Sequence, residues 1–279
     1  FQILFFRSII GISIILAFQK LAGYPIKIWT AYPFLVVLRG FLFFLGYSTF
    51  YFSISQIPIA NATVLFLISP FFITLLSIYF LESQIDSRRW IALIIGFSGV
   101  IFVAQPESDD FNWIYILPIC VAAVYSVSMM IVKVTSDKDT VYQQVIVMYS
   151  ITAILSVAIS LLPIGIALNT LGIDNQEFLY RPWSISDKHL LFYLCVISII
   201  GTTGFVLLHS AYRTSDPAIV APYEYSGLLV VLILAWIFFE ELPSPISFVG
   251  MLLIVLSGLY ILHSEKSKPK QPTTKSSLR

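Results

Sequence analysis

Charge is what this 279-residue sequence has least of. Asp, Glu, Lys and Arg make up 11% of it, where a soluble domain carries about 25%, and so sparse a charge excludes an ordinary water-facing surface. It equally excludes a basic nucleic-acid-binding domain. Cysteine is as thin: Cys120 and Cys195 sit singly inside apolar runs, a pattern of packing residues rather than a disulfide or metal framework, and one that leaves the redox compartment open. His189, His209 and His263 show no metal-ligand spacing, no cofactor site is legible, and no glycine-rich phosphate loop of an ATP-driven pump is present. The clusters of His, Asp or Cys that a membrane-embedded enzyme needs are missing from the apolar runs, so no enzymatic chemistry is expected.

Apolar residues fill the space: they are 58% of the chain, and the mean hydropathy is +0.90. A helix needs about 20 such residues to cross a bilayer. Nine runs qualify, near 3–19, 33–54, 58–80, 88–104, 112–133, 142–164, 189–211, 217–239 and 244–262, which predicts an all-α integral membrane protein. Pro33, Pro58, Pro217 and Pro245 fall at predicted helix starts, where a missing N–H does no harm. Pro70, Pro118 and Pro222 fall inside their runs and predict kinks beside a cavity. With the basic C-terminal tail in the cytoplasm, thirteen of the sixteen basic residues lie on the inner side, as the positive-inside rule requires. A cytoplasmic C-terminus is the expected orientation.

The chain also repeats itself. A shift of 159 residues lays Pro58 on Pro217, Ala62 on Ala221, Glu82 on Glu241 and Gly99 on Gly258. The predicted topology orients the two copies oppositely, and inverted repeats of this kind place a transporter's substrate site between the halves. The expected division is a first half over 1–104, a second over 105–265 and a disordered basic tail over 266–279. The first half holds four runs and the second five, so one N-terminal helix is expected to be missing here, with ten helices in the intact protein.

One helix organises the reading. DPAIVAPYEYSGLLVVLILAWIFFEE (Asp216–Glu241) combines a spanning length with Pro222 and Glu224. A mid-membrane acid costs about 2.5–3.5 kcal/mol on insertion scales, and the proline disturbs the hydrogen bond to the Ala218 carbonyl. Together they point to a polar cavity inside a bundle. Glu224 is either a cation- or proton-binding carboxylate on that cavity or a buried acid paired with Lys133 or Arg213.

FFRSIIG (Phe5–Gly11), SISQIPIANATVLFLISPFF with the following Glu82, RRWIALIIGFSGVIFVAQP (Arg88–Pro106) and APYEYSGLLVVLILAWIFFEE (Ala221–Glu241) resemble the EamA-type drug/metabolite transporter superfamily. The FFRS and APYEY variants are most similar to its ten-helix bacterial branch, which includes S-adenosylmethionine importers and amino-acid and metabolite exporters. The resemblance implies a secondary transporter without cofactor or metal. Its substrate would be a small polar metabolite, amino-acid-like or S-adenosylmethionine-like, moved by alternating access with proton coupling or exchange. A non-transporting membrane scaffold is the competing expectation. The resemblance implies a bacterial inner membrane as the location, nucleic acid is not an expected partner, and a homodimer is left open.

Arg7, a few residues into the first run, either snorkels to headgroups or faces the cavity to hold a carboxylate. Arg39 reads as an orientation anchor. Tyr125 stands seven residues past Pro118, on nearly the same helix face, and ranks first among the intramembrane tyrosines Tyr47, Tyr51, Tyr125, Tyr223 and Tyr225. His209 and Asn61 complete the candidate substrate contacts. Tyr223, Glu224 and Tyr225 are consecutive and are not expected to line one cavity together.

Overall fold

The structure, a computed structural model, describes residues 1–81, 87–104, 113–162, 183, 188–240 and 244–266. Glu82, Glu241 and the tail beyond residue 266 lie outside the described residues. Helix accounts for each of the nine predicted runs, and no strand occurs among the described residues. The first two helices are α1 (Gln2–Leu21) and α2 (Pro33–Ile54). The third run is two helices, α3 (Ile59–Phe66) and α4 (Ser69–Leu81), and α5 follows over Ser87–Ala104. Next come α6 (Ile116–Val134), entered through a 3-10 turn at Trp113–Tyr115, then α7 (Val141–Ser160) and α8 (Lys188–Thr214). The eighth run divides into α9 (Pro217–Val220), a 3-10 segment over Ala221–Tyr225 and α10 (Ser226–Phe239), before α11 (Pro245–Lys266). Six stretches are long and apolar enough to cross a membrane, and Trp90–Val103, Val230–Phe239 and Pro245–Tyr260 are shorter apolar helices.

Local chemistry sets the helix ends. Pro33 opens α2, Pro217 opens α9 and Pro245 opens α11. At α7, Thr140 accepts from the Gln143 N–H while the Gln143 side chain accepts from the Thr140 N–H, a reciprocal cap worth about 1 kcal/mol. Beyond α1, Gly23 adopts φ +70° and lets the Tyr24 N–H reach the Gln19 carbonyl at 2.9 Å, closing the helix in a left-handed turn.

Two of the three interior prolines stand at breaks. Pro70 is the second residue of α4, just beyond the Leu67–Ile68 turn, and Pro222 lies in the 3-10 segment that splits the eighth run. Pro118 behaves otherwise. It is the third residue of an unbroken α6, in the first turn, where the orphan N–H groups have no helical partner to lose.

The surface is apolar: Ile94, Phe192, Ile200, Leu207, Trp236 and Phe238 are all exposed. The interior holds the polar groups, among them Arg7, Arg39, Gln144, Thr152 and His209. That inversion suits a lipid solvent. Helices α1 and α7 pack together, as do α3 with α10 and α5 with α11. The α2–α7 contact has its counterpart in α1–α8. The α5–α11 crossing is close because both helices present glycine. A Cβ on Gly99 would stand 2.6 Å from the Gly250 carbonyl oxygen, and one on Gly250 would stand 2.5 Å from that of Gly99.

Candidate functional site

Three helices supply most of a central cavity, each through one stripe at helical spacing. They are Leu42, Phe43, Gly46, Tyr47 and Phe50 on α2; Val121, Val124, Tyr125 and Ser128 on α6; and Gly201, Gly204, Phe205, Leu208 and Ala211 on α8. Arg7 from α1, Phe66 at the end of α3, Ser215 beyond α8, and Ile219, Val220, Tyr223, Glu224 and Gly227 around the broken eighth run complete it. Its volume is about 890 Å³, the upper part of the range for small-molecule sites. Its wall is mostly aliphatic and aromatic, with few polar groups.

Glu224 reaches the cavity because the chain around it is not α-helical. Over Ala221–Tyr225 the backbone tightens to a 3-10 turn, and both Tyr223 and Glu224 border the cavity although they are neighbours. The side chain of Tyr225 lies outside what the structure describes. Glu224 Oε1 accepts hydrogen bonds from the Tyr125 hydroxyl at 2.7 Å and the Tyr212 hydroxyl at 2.5 Å. No base pairs with it among the described residues. Lys133 instead donates to the carbonyls of Arg213 and Ser215 at 3.2 and 2.9 Å. Arg213 donates to the carbonyls of Asp139 and Ser136. The alternative in which Glu224 is neutralised by Lys133 or Arg213 is therefore not what the fold builds.

Arg7 faces the cavity rather than the headgroups and is only 6% exposed. Its Nη1 and Nη2 make long hydrogen bonds, 3.5 Å to the Tyr51 hydroxyl and 3.3 Å to that of Tyr47. The guanidinium carbon lies 4.6 Å from the Tyr47 ring centroid and 5.2 Å from that of Phe205. Such cation–π contacts contribute about 2 kcal/mol when desolvated. Neither supplies a counter-charge, and Nε is buried without a hydrogen-bond partner.

His209 and Asn61 stand elsewhere. Asn61 Nδ2 donates to the Tyr115 hydroxyl at 3.4 Å, a helix–helix contact that does not line the cavity. His209 is fully buried beneath the Phe205 ring, stacked at 5.1 Å between centroids. Its Nδ1 meets the Phe205 carbonyl at 2.6 Å, and its Nε2 meets Arg39 Nη2 at 2.5 Å. A carbonyl only accepts and a guanidinium only donates, so the bonding assigns a neutral imidazole with its proton on Nδ1. Arg39 is not an orientation anchor: it is 0% exposed, with Nη1 on Gln144 Oε1 at 3.3 Å. Gln144 in turn donates to Thr135 Oγ1 at 2.7 Å. The physical reason is position, since Arg39 is the seventh residue of α2 and its stem points into the bundle.

Sequence reasoning passed over Tyr212 and Phe205. Tyr212 is a fully buried residue near the end of a basic-tipped helix. The signal was the α8 stripe of Gly201, Gly204, Phe205, Leu208 and Ala211, which continues onto Tyr212 at helical spacing.

An apolar exterior, a bundle of helices long enough to span a membrane and an internal cavity bordered by Arg7 and Glu224 are the features of a polytopic membrane protein with a small-molecule site. The sequence matches the EamA-like transporter family over residues 1–105 and 112–262, and the chain belongs to that family. It is 28% identical over 271 residues to the S-adenosylmethionine uptake transporter of Rickettsia bellii (strain RML369-C), covering 95% of this chain and 84% of that one. It is 26% identical over 243 residues to a riboflavin transporter of Rhizobium johnstonii, covering 87% of this chain and 74% of the relative. A solved crystal structure superposes with a TM-score of 0.69 at 13% identity, over 96% of this chain and 89% of the other, which speaks to the fold. The protein is a multi-pass membrane transporter of small molecules and not an enzyme.

Proposed function

We propose that this chain carries an amino-acid-like zwitterion of the S-adenosylmethionine kind by alternating access between two inverted halves. The observation that carries the proposal is that Arg7 and Glu224 border one cavity, neither with an oppositely charged partner among the described residues. Arg7 takes the substrate carboxylate. Glu224, holding two phenols on Oε1, has Oε2 left for the cationic end or for a proton that exchanges with it. The apolar wall accepts the body between them. Catalysis of bond changes is not needed; the work comes from a solute or ion gradient.

The inverted arrangement is supported by the repeat at 159 residues and by counterpart runs packing on one another: α1 on α7, α3 of the third run on α10 of the eighth, and α5 on α11. Breaks in the third and eighth runs, at Leu67–Ile68 and Ala221–Tyr225, fall close to each other under that shift, as discontinuous helices at a transporter's substrate site do. The relative named for S-adenosylmethionine uptake supports the choice of substrate, and the basic residues support a cytoplasmic C-terminus.

The test is uptake of labelled S-adenosylmethionine and of a pooled amino-acid set into liposomes holding the purified protein, with and without a pH gradient. Wild type should take up the substrate and respond to the gradient, and Glu224→Gln should lose the response. Uptake unchanged by Glu224→Gln would remove that carboxylate from the coupling path. No uptake of either probe would remove the substrate assignment.

A further inference from the structure

Glycine inside a helix costs stability relative to alanine, so Gly201, in the interior of α8, needs a local reason. Most close glycines in this fold have one in helix packing, as Gly99 and Gly250 do. Gly201 does not follow them. A Cβ built there would meet Arg7 and nothing nearer: Nε at 3.0 Å, Nη2 at 3.1 Å and Cζ at 3.2 Å. One turn along, Gly204 faces open space with nothing within 4 Å. The guanidinium is held from its other sides by the Tyr47 and Phe205 rings, so a side chain at 201 leaves it little room to retreat.

We propose that Gly201 is the positioning residue of the anion seat: by having no side chain, it lets the Arg7 guanidinium lie against α8, where it borders the cavity that a substrate carboxylate would enter. This rests on the reading of Arg7 as the group that receives the substrate's anionic end. The ligand class follows from the geometry, a planar anion that can engage the fork of a guanidinium, which a carboxylate does and a neutral amide does not.

The test uses the full chain in liposomes with Cys120 and Cys195 replaced by serine and Gly204→Cys as a reporter in the cavity. Its labelling rate is compared between methanethiosulfonates carrying a sulfonate or a trimethylammonium group, a readout that does not depend on the transported substrate. With Arg7 present the sulfonate reagent should be favoured by about tenfold over the ratio seen in Arg7→Gln, the field of one poorly screened charge. Gly201→Ala should cut that preference about threefold and Gly201→Val should bring it close to the Arg7→Gln value. In an Arg7→Ala background Gly201→Ala should have no further effect on the ratio or on the melting midpoint, because alanine places no atom where Nε and Cζ stand for the new Cβ to meet. If Arg7→Gln removes the preference but Gly201→Ala does not, the positioning role is wrong and the anion seat stands. If Arg7→Gln leaves the ratio unchanged, the seat itself is wrong. Should Gly201→Ala fail to fold, recovery of folding by Arg7→Ala supports the proposal, and failure of both variants overturns it in favour of plain helix packing.

Discussion

Two buried arginines on adjacent helices show what separates structure from function in this bundle. Arg39 and Arg7 are both enclosed, and neither meets a carboxylate among the described residues. Arg39 is held by neutral acceptors whose other atoms are also engaged, Gln144 on Thr135 and His209 on the Phe205 carbonyl. That network ties α2 to α7 and α8, and the cavity does not reach it. Arg7 has only long contacts to two phenols, three aromatic rings around it and an idle Nε. Both Nε atoms are buried without a hydrogen-bond partner; what separates the two is that Arg7 borders the cavity and Arg39 does not.

The comparison is broken most severely at Arg39. Arg39→Ala leaves Gln144 Oε1 and His209 Nε2 without the donor they face, and each orphaned acceptor costs about 1–3 kcal/mol. The expected outcome is a large loss of monodisperse protein and a lowered melting midpoint in detergent, with transport falling only as far as folded protein does. Arg7→Gln should do the reverse. Melting should hold, since an unpaired buried charge has been removed. Uptake per folded molecule should fall by about tenfold or more, the worth of a charged hydrogen bond. Equal losses of stability in both variants would dissolve the distinction.

Finer tests lie on the second charged group. Glu224→Gln keeps an acceptor for Tyr125 and Tyr212 and so should melt near wild type while losing gradient-dependent uptake, measured in the same liposomes. Tyr212→Phe removes one of the two hydrogen bonds on Oε1, and a single bond of this kind is worth about 0.5–1.5 kcal/mol. About a threefold loss of uptake is expected, with the gradient response retained.

Much of this was legible in the sequence because bilayer length and helical period act on every residue of a run. The nine runs and the proline-marked starts follow from those two constraints, and the cost of burying an acid singled out Glu224, while Arg7 stayed open between headgroups and cavity. What escaped depended on distant neighbours. Nothing local to FLVVLRG marks Arg39 as the centre of a network, because its partners lie 105 and 170 residues away. Nothing local to Tyr212 shows that Glu224 curls back onto it, since that depends on the 3-10 turn at Ala221–Tyr225. Pro118 misled for the converse reason: α6 begins only two residues before it, and the apolar run extends upstream of the helix.

The most direct test of the central claim asks whether the cavity is a water-accessible substrate path. Val124 borders it, whereas Val127, on the same helix, is exposed on the apolar exterior and does not. In protein with Cys120 and Cys195 replaced by serine, single cysteines at these positions would be exposed to a membrane-impermeant maleimide in reconstituted membranes. The account predicts that Val124→Cys reacts and is protected by transported substrate, while Val127→Cys stays unlabelled. Reaction at 127 with silence at 124 would contradict it.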